Sequence, residues 1–246
     1  VTGNATTGED DAGGGVSIGM GSNPYMENIE ISDNTATWGG GLSVVESDPI
    51  LFNVNIHDNI ATTTGGGAYV GVFSDPVFNS VIFSDNSATY YGGGVFIHSR
   101  SKPTFNQNTF TRNICSSGGG AILINDASVP VLVNSILWNN LPDQIFLNGD
   151  TDYRPASIVV AYSDVQGGEA GVDLGNGSIV WAEGNIDLDP LFTDPVSNDF
   201  SLMEASPCID AGTAAFVVNQ VQILDMADSE YAMYAPDMGA MESPYT

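Results

Sequence analysis

The chain of 246 residues is long enough to bury one or two substantial cores, and a hydrophobic fraction of 42% excludes a disordered polymer. Thirty Asp and Glu against four Lys and Arg give a formal net charge of −26, which repels nucleic acid and anionic membrane and suits an extracellular, calcium-bearing or saline setting. With 29 glycines, so few basic residues and no run of roughly 18 apolar residues, long surface helices and a transmembrane segment are both excluded.

Along the chain, the first element is an apolar-x-x-Asn turn, Val1–Asn4, followed by a glycine triplet from Gly13, an alternating segment Val16-Ser-Ile18, and Pro24. The same succession then returns. The turn recurs as Ile31–Asn34, Ile56–Asn59, Phe83–Asn86, Phe110–Asn113 and Leu137–Asn140. Triplets begin again at Gly39, Gly65, Gly92 and Gly118, and prolines keep step at Pro49, Pro76, Pro103 and Pro130. After each triplet, apolar residues alternate with others, as in Leu42-Ser-Val44 and Ala68-Tyr-Val70, which is the period of a strand with one buried face. Three markers sharing a period of about 26 residues predict a solenoid, too short per repeat for a βαβ unit. The expected fold is all-β: a right-handed parallel β-helix whose coils stack about 4.8 Å apart.

In such a stack equivalent positions touch. Asn4, Asn34, Asn59, Asn86, Asn113 and Asn140 are expected to form an inward structural ladder of carboxamides. Cys115 falls in a column with Ala36, Ala61 and Ala88, so it reads as a small buried residue, and with Cys208 it makes no disulfide framework. Beyond Asn140 the period decays. Residues 1–140 are expected as regular coils, 141–186 as irregular wider coils, and 187–246 as a capping segment packed on the solenoid.

The recurrence of apolar-x-x-Asn with Gly-Gly-Gly-apolar resembles the repeats of chlamydial polymorphic outer-membrane proteins and related bacterial surface β-helices. Asp189-Pro-Leu-Phe192, Asp199-Phe-Ser-Leu202, Ser206-Pro-Cys-Ile-Asp-Ala-Gly212 and Asp237-Met-Gly-Ala-Met-Glu242 are similar to the close of bacterial "choice-of-anchor" β-helix proteins. The resemblance implies export and a surface location, and no single activity. Val1 carries neither an initiator Met nor a leader, which reads as a mature or excised chain, and an anchor after Glu242 is expected to be either cleaved or outside this sequence.

Catalysis finds no positive support. A lyase needs a base and a means of neutralising a uronate; the basic inventory is Arg100, Lys102, Arg112, Arg154, His57 and His98. Lys102 aligns with Asp75 and Asp48, and Arg112 with Asp85, Asp58 and Asp33, so each cation is expected to offset a stacked carboxylate. Asp10-Asp11 lacks the partners a hydrolase would require. The acidic columns Asp33–Asp58–Asp85 and Asp48–Asp75 are candidate calcium bridges between rungs, against a solvated acidic face. Outward aromatics form a second candidate surface, for glycan, for a protein partner or for the chain's own tail: Tyr69, Phe96 and Ile122 in one row, Trp38 and Tyr91 before their triplets, and Tyr90 beside Tyr91. Coverage by the tail is the expected state. The first coil, entered at Val1, is expected to be an open end: either further coils precede it in a longer protein, or that end stacks onto another copy. The function expected is thus a non-catalytic extracellular or cell-surface scaffold, adhesive or filament-forming; the alternative is a carbohydrate-binding or polysaccharide lyase-like β-helix.

Overall fold

The computed structural model describes residues 1–245 apart from 7, 9, 10 and 149–154. Alternating apolar residues fold inward and wind the chain into a parallel β-solenoid of about six turns. The strands that follow the glycine triplets form a seven-stranded sheet, from Val16–Gly19 through Leu42–Val45, Ala68–Gly71, Val95–Ile97, Ile122–Asn125 and Ile145–Asn148 to Val172–Asp173. The strands after the prolines form a longer sheet that bends in mid-strand. Tyr25–Ser32, Ile50–His57 and Val77–Ser84 run its full width, while later coils split into pairs such as Thr104–Asn106 and Thr109–Thr111. A four-stranded sheet, Thr35–Trp38, Ile60–Thr64, Ser87–Ala88 and Ile114–Cys115, leads each coil back to its next triplet.

One continuous core fills the interior. Ile31, Ile56, Phe83, Phe110, Leu137 and Val165 occupy successive rungs of a single inward column. Phe83 stacks on Phe110 with centroids 4.8 Å apart and planes 7° apart, and Phe78 on Phe105 at 5.0 Å and 7°. Such large buried side chains each contribute about 1.5–3 kcal/mol relative to exposure.

The triplet and the asparagine are one device. Asn34 Oδ1 accepts from Asn4 N and Nδ2, Asn59 Oδ1 from Asn34, Asn86 Oδ1 from Asn59, Asn113 Oδ1 from Asn86 and Asn140 Oδ1 from Asn113. Each Nδ2 beyond Asn4 also donates to a carbonyl of the preceding coil, Asn86 to Ile56 O at 2.8 Å. The glycines make room for this. A Cβ on Gly66 would lie 2.4 Å from Gly93 O, and one on Gly67 would lie 3.0 Å from Asn86 Nδ2. Just before each ladder Asn, the backbone turns through a left-handed residue: Asp33, Asp58, Asp85, Arg112 and Asn139 have φ between 54° and 61°. Asp and Asn tolerate that conformation better than most residues, which explains the acidic column without invoking a ligand.

Spacing misplaces one register. The fifth triplet begins at Gly118, but Gly119 (φ 71°) holds the position of Gly92 (φ 64°), and Val95 pairs with Ile122. Gly118 takes the place of Tyr91 in the preceding coil, so Ile122 points into the core and Leu123, not Ile122, follows Phe96 outward. Parallel pairing persists past Asn140, to Ser178–Trp181 beside Ser157–Ala161.

From residue 187 the chain lies across the outside of the long sheet. Phe192, Phe200, Leu202, Cys208 and Met238 pack on outward-facing Ile82 and Ile136, and Leu224 of the hairpin Ala215–Val218/Val221–Asp225 packs on Val133 and Ala161. Cys208 and Cys115 are buried free thiols; Cys115 sits with Ala61 and Ala88, and burial pushes its thiol up.

Candidate functional site

The acidic columns are tied to the backbone and to cations. Asp48 Oδ1 accepts from Asp75 N at 2.7 Å, and Asp75 Oδ1 from Lys102 N at 2.8 Å. Burial raises the Asp75 carboxyl, with Lys102 opposing. In the other column Arg112 Nε donates to Asp85 Oδ1 at 2.8 Å, and His57 lies between Asp58 Oδ2 (2.7 Å) and Glu30 Oε1 (3.1 Å). Among the described residues, no group of three or more His, Cys, Asp and Glu side chains gathers as a metal site. Arg154 and Asp10 lie outside the described residues. With both columns engaged in this way, chelator is expected to leave the melting temperature unmoved; a calcium-dependent rise would restore rung-bridging by the cation.

The aromatic stripe spends its ring faces on itself. Trp38 stacks on Tyr69 (6.2 Å, 26°), Tyr69 on Phe96 (5.7 Å, 13°), and Phe96 on His98 (5.9 Å, 17°). A sugar stacks on a ring face, and these faces are turned along the stack toward one another. Tyr91 tilts against Phe146, while Tyr90 is exposed. Among the described residues the tail packs on the long sheet and not on this stripe, because the outward apolar residues Ile82, Val133 and Ile136 are there.

Two clefts remain. One, of about 700 Å³, lies between the turn column and the cap and is lined by Asp58, Asp85, Arg112, Trp138, Asp189 and Val196 among others. Arg112 is its hub. Its guanidinium joins Asp85, Pro195 O and Asn198 Oδ1, and lies 4.9 Å over the Phe200 ring. Arg112→Met is expected to cost about 2 kcal/mol by orphaning Asp85 and to free the 189–203 segment for proteolysis. An unchanged melt with an unchanged digestion pattern would refute the hub role.

The second is a trough along the outer face of the long sheet. Hollows of about 690 and 310 Å³ share Asn53, Ser80 and Ala240, and so run together across several coils. Its floor follows the mid-strand bend, where Asn28, Asn53, Ser80, Gln107 and Asn134 are all left-handed, with φ between 50° and 55°. Sequence reasoning missed this bend, and it missed the buried ladder Ser47–Ser74–Ser101–Ser128, in which each of the first three backbone N–H groups donates to the next Ser Oγ at 3.2 Å. A signal for the ladder was present, since each of these serines stands two residues before a marker proline.

A family model described as right handed beta helix region matches residues 1–136. No curated protein and no solved structure gives a significant match.

Proposed function

We infer the function from one premise, that this chain belongs to the right handed beta helix family. The reading is a non-catalytic scaffold, outside the cell or at its surface, that adheres to a partner along its flank. The observation that carries it is the uneven covering of the long sheet. On later coils the chain's own C-terminal segment lies over the outward residues; on the early coils Tyr25, Ile50 and Phe52 stand 60%, 41% and 40% exposed on the same sheet. An exposed apolar patch rimmed by polar groups is a common form of interaction surface. The net charge of −26 supports an exported, highly soluble molecule.

A carbohydrate-binding role is the second reading, favoured by the carboxamides Asn53, Asn79 and Asn106 beside Phe52 in the trough. Surface-capture assays and a glycan array on the purified chain, with Phe52→Ala and Tyr25→Ala as variants, test both. Adhesion lost at unchanged melting temperature is the expected result. Variants that adhere as well as the wild type would end the reading, and release of unsaturated uronate products would replace it with catalysis.

A further inference from the structure

We propose that the open part of the trough, along Asn28, Asn53 and Ser80, docks an extended polypeptide bearing basic side chains. This names the partner class for the adhesive face inferred above and rests on that reading.

The chain already demonstrates the mode of recognition upon itself. At Asn134, further along the same bend column, one side chain holds the C-terminal segment as a neighbouring strand would: Thr213 N donates to Asn134 Oδ1 at 2.8 Å, and Asn134 Nδ2 donates to Thr213 O at 2.9 Å. Gly239 N donates to Asn134 O at 2.8 Å, and Ala240 N to Thr109 Oγ1 at 3.0 Å. The column continues through Ser80 to exposed Asn53 and Asn28 with the same left-handed backbone. There Asn53 Nδ2 donates to Asn28 Oδ1 at 2.6 Å, while among the described residues Asn53 Oδ1 and Asn28 Nδ2 bond nothing. One acceptor and one donor are thus presented, as at Asn134 before its peptide.

A second observation points the same way. Asn55 Oδ1 lines the trough, is shielded from water and has no partner. A buried acceptor without a donor costs about 1–3 kcal/mol, a penalty relieved where the carboxamide rotates into the trough to meet an incoming N–H. Charge then selects the occupant. Glu30 lines the smaller hollow and Asp225 and Glu230 the larger, with Glu27 exposed beside Phe52's row, and among the described residues no Lys or Arg lines the trough. Phe52 offers its ring to a Lys or Arg stem.

The test titrates the whole chain by calorimetry with two synthetic peptides of about twelve residues, alike in apolar positions, one carrying Lys and the other Glu between them. Neutral oligosaccharides form a third arm. The Lys peptide is expected to bind, with affinity falling as salt rises, and to bind about fivefold or more weakly to Asn53→Gly and to Phe52→Ala. Glycine keeps the left-handed backbone at position 53, so the melting temperature should hold. A Lys peptide bound equally by all three proteins would assign binding to the general acidic surface and overturn the proposal, leaving the adhesive reading to its own assay. An oligosaccharide, in place of the peptide, lost from both variants would overturn the polypeptide while keeping the face. Binding of none of the three probes would also overturn the proposal, and the adhesive reading would then stand or fall on its own surface-capture assay.

Discussion

Asn86→Ala is expected to destabilise the chain by about 4 kcal/mol, near the whole stability of many domains. Its carboxamide accepts from Asn59 N (3.1 Å) and Nδ2 (3.0 Å) and donates to Ile56 O (2.8 Å) and Asn113 Oδ1 (3.0 Å). All these groups are buried between coils, so truncation leaves the Asn59 amide and the Ile56 carbonyl unpaired as well as a void. Each orphaned group costs about 1–3 kcal/mol. Asn86→Asp is the sharper variant. It preserves shape and both accepted bonds, but sets a carboxylate oxygen against two acceptor oxygens unless it is protonated. It should therefore be as damaging as Ala at pH 8 and partly rescued at pH 4.5. Urea titrations at both pH values measure this, and a loss below about 1 kcal/mol for Ala would show that the ladder is not structural.

Asp164→Asn is expected to act in the opposite direction, and only where the acid is ionised. Asp164 is fully buried under the cap, and burial pushes its carboxyl up to about 7, with Asp187 and Asp189 adding to the rise. Leu188 N–H (3.1 Å) and the Cys208 thiol (3.4 Å) oppose it. In the unfolded chain the group titrates near 4. Below that pH both states are protonated and nothing is lost. As pH rises toward 7 the folded chain must hold a proton the unfolded chain has released, at about 1.4 kcal/mol per pH unit, reaching about 4 kcal/mol. Asp237, buried within the cap and pushed up to about 6, works in the same sense. A carboxamide in place of the Asp164 carboxyl would keep an acceptor for Leu188 and carry no charge. Melts of the variant and wild type should nearly coincide at pH 4.5 and separate by several degrees at pH 8, the variant being higher. A variant equally weakened at both pH values would refute the account.

Much of this fold was legible because a solenoid imposes the same physical demand on every rung. The inward Asn, the triplet that clears space for it, and the alternating strand after it each recur wherever a coil repeats. The slip at Gly118 was not legible: three consecutive glycines leave open which one turns left-handed, and pairing with the neighbouring coil decides it. The cap was harder still. Arg112 over Phe200 and Asn134 around Thr213 are contacts between residues far apart in sequence, and no local pattern reports them. At the candidate site, the position of the aromatic stripe followed from alternation. The use of its ring faces did not, since stacking depends on tilt. The trough depends on a backbone bend that recurs at different residue types, Asn, Ser and Gln, and so left no single-letter trace.

The tail's bonds to the 109 and 134 rungs, with Cys208 against Asp164 on the next, have a mechanical consequence. A bare stack of coils is a chain of nearest neighbours and can fray at either end, one coil at a time. The tail runs across several coils, as a strap runs across planks. At that end coils cannot peel singly, because the strap must lift first; among the described residues no hydrogen bond ties the tail to the first two coils. Tension or partial denaturation should therefore unravel the molecule in one direction, beginning at the flank proposed to hold a partner, and anything docked across those coils would act as their missing strap.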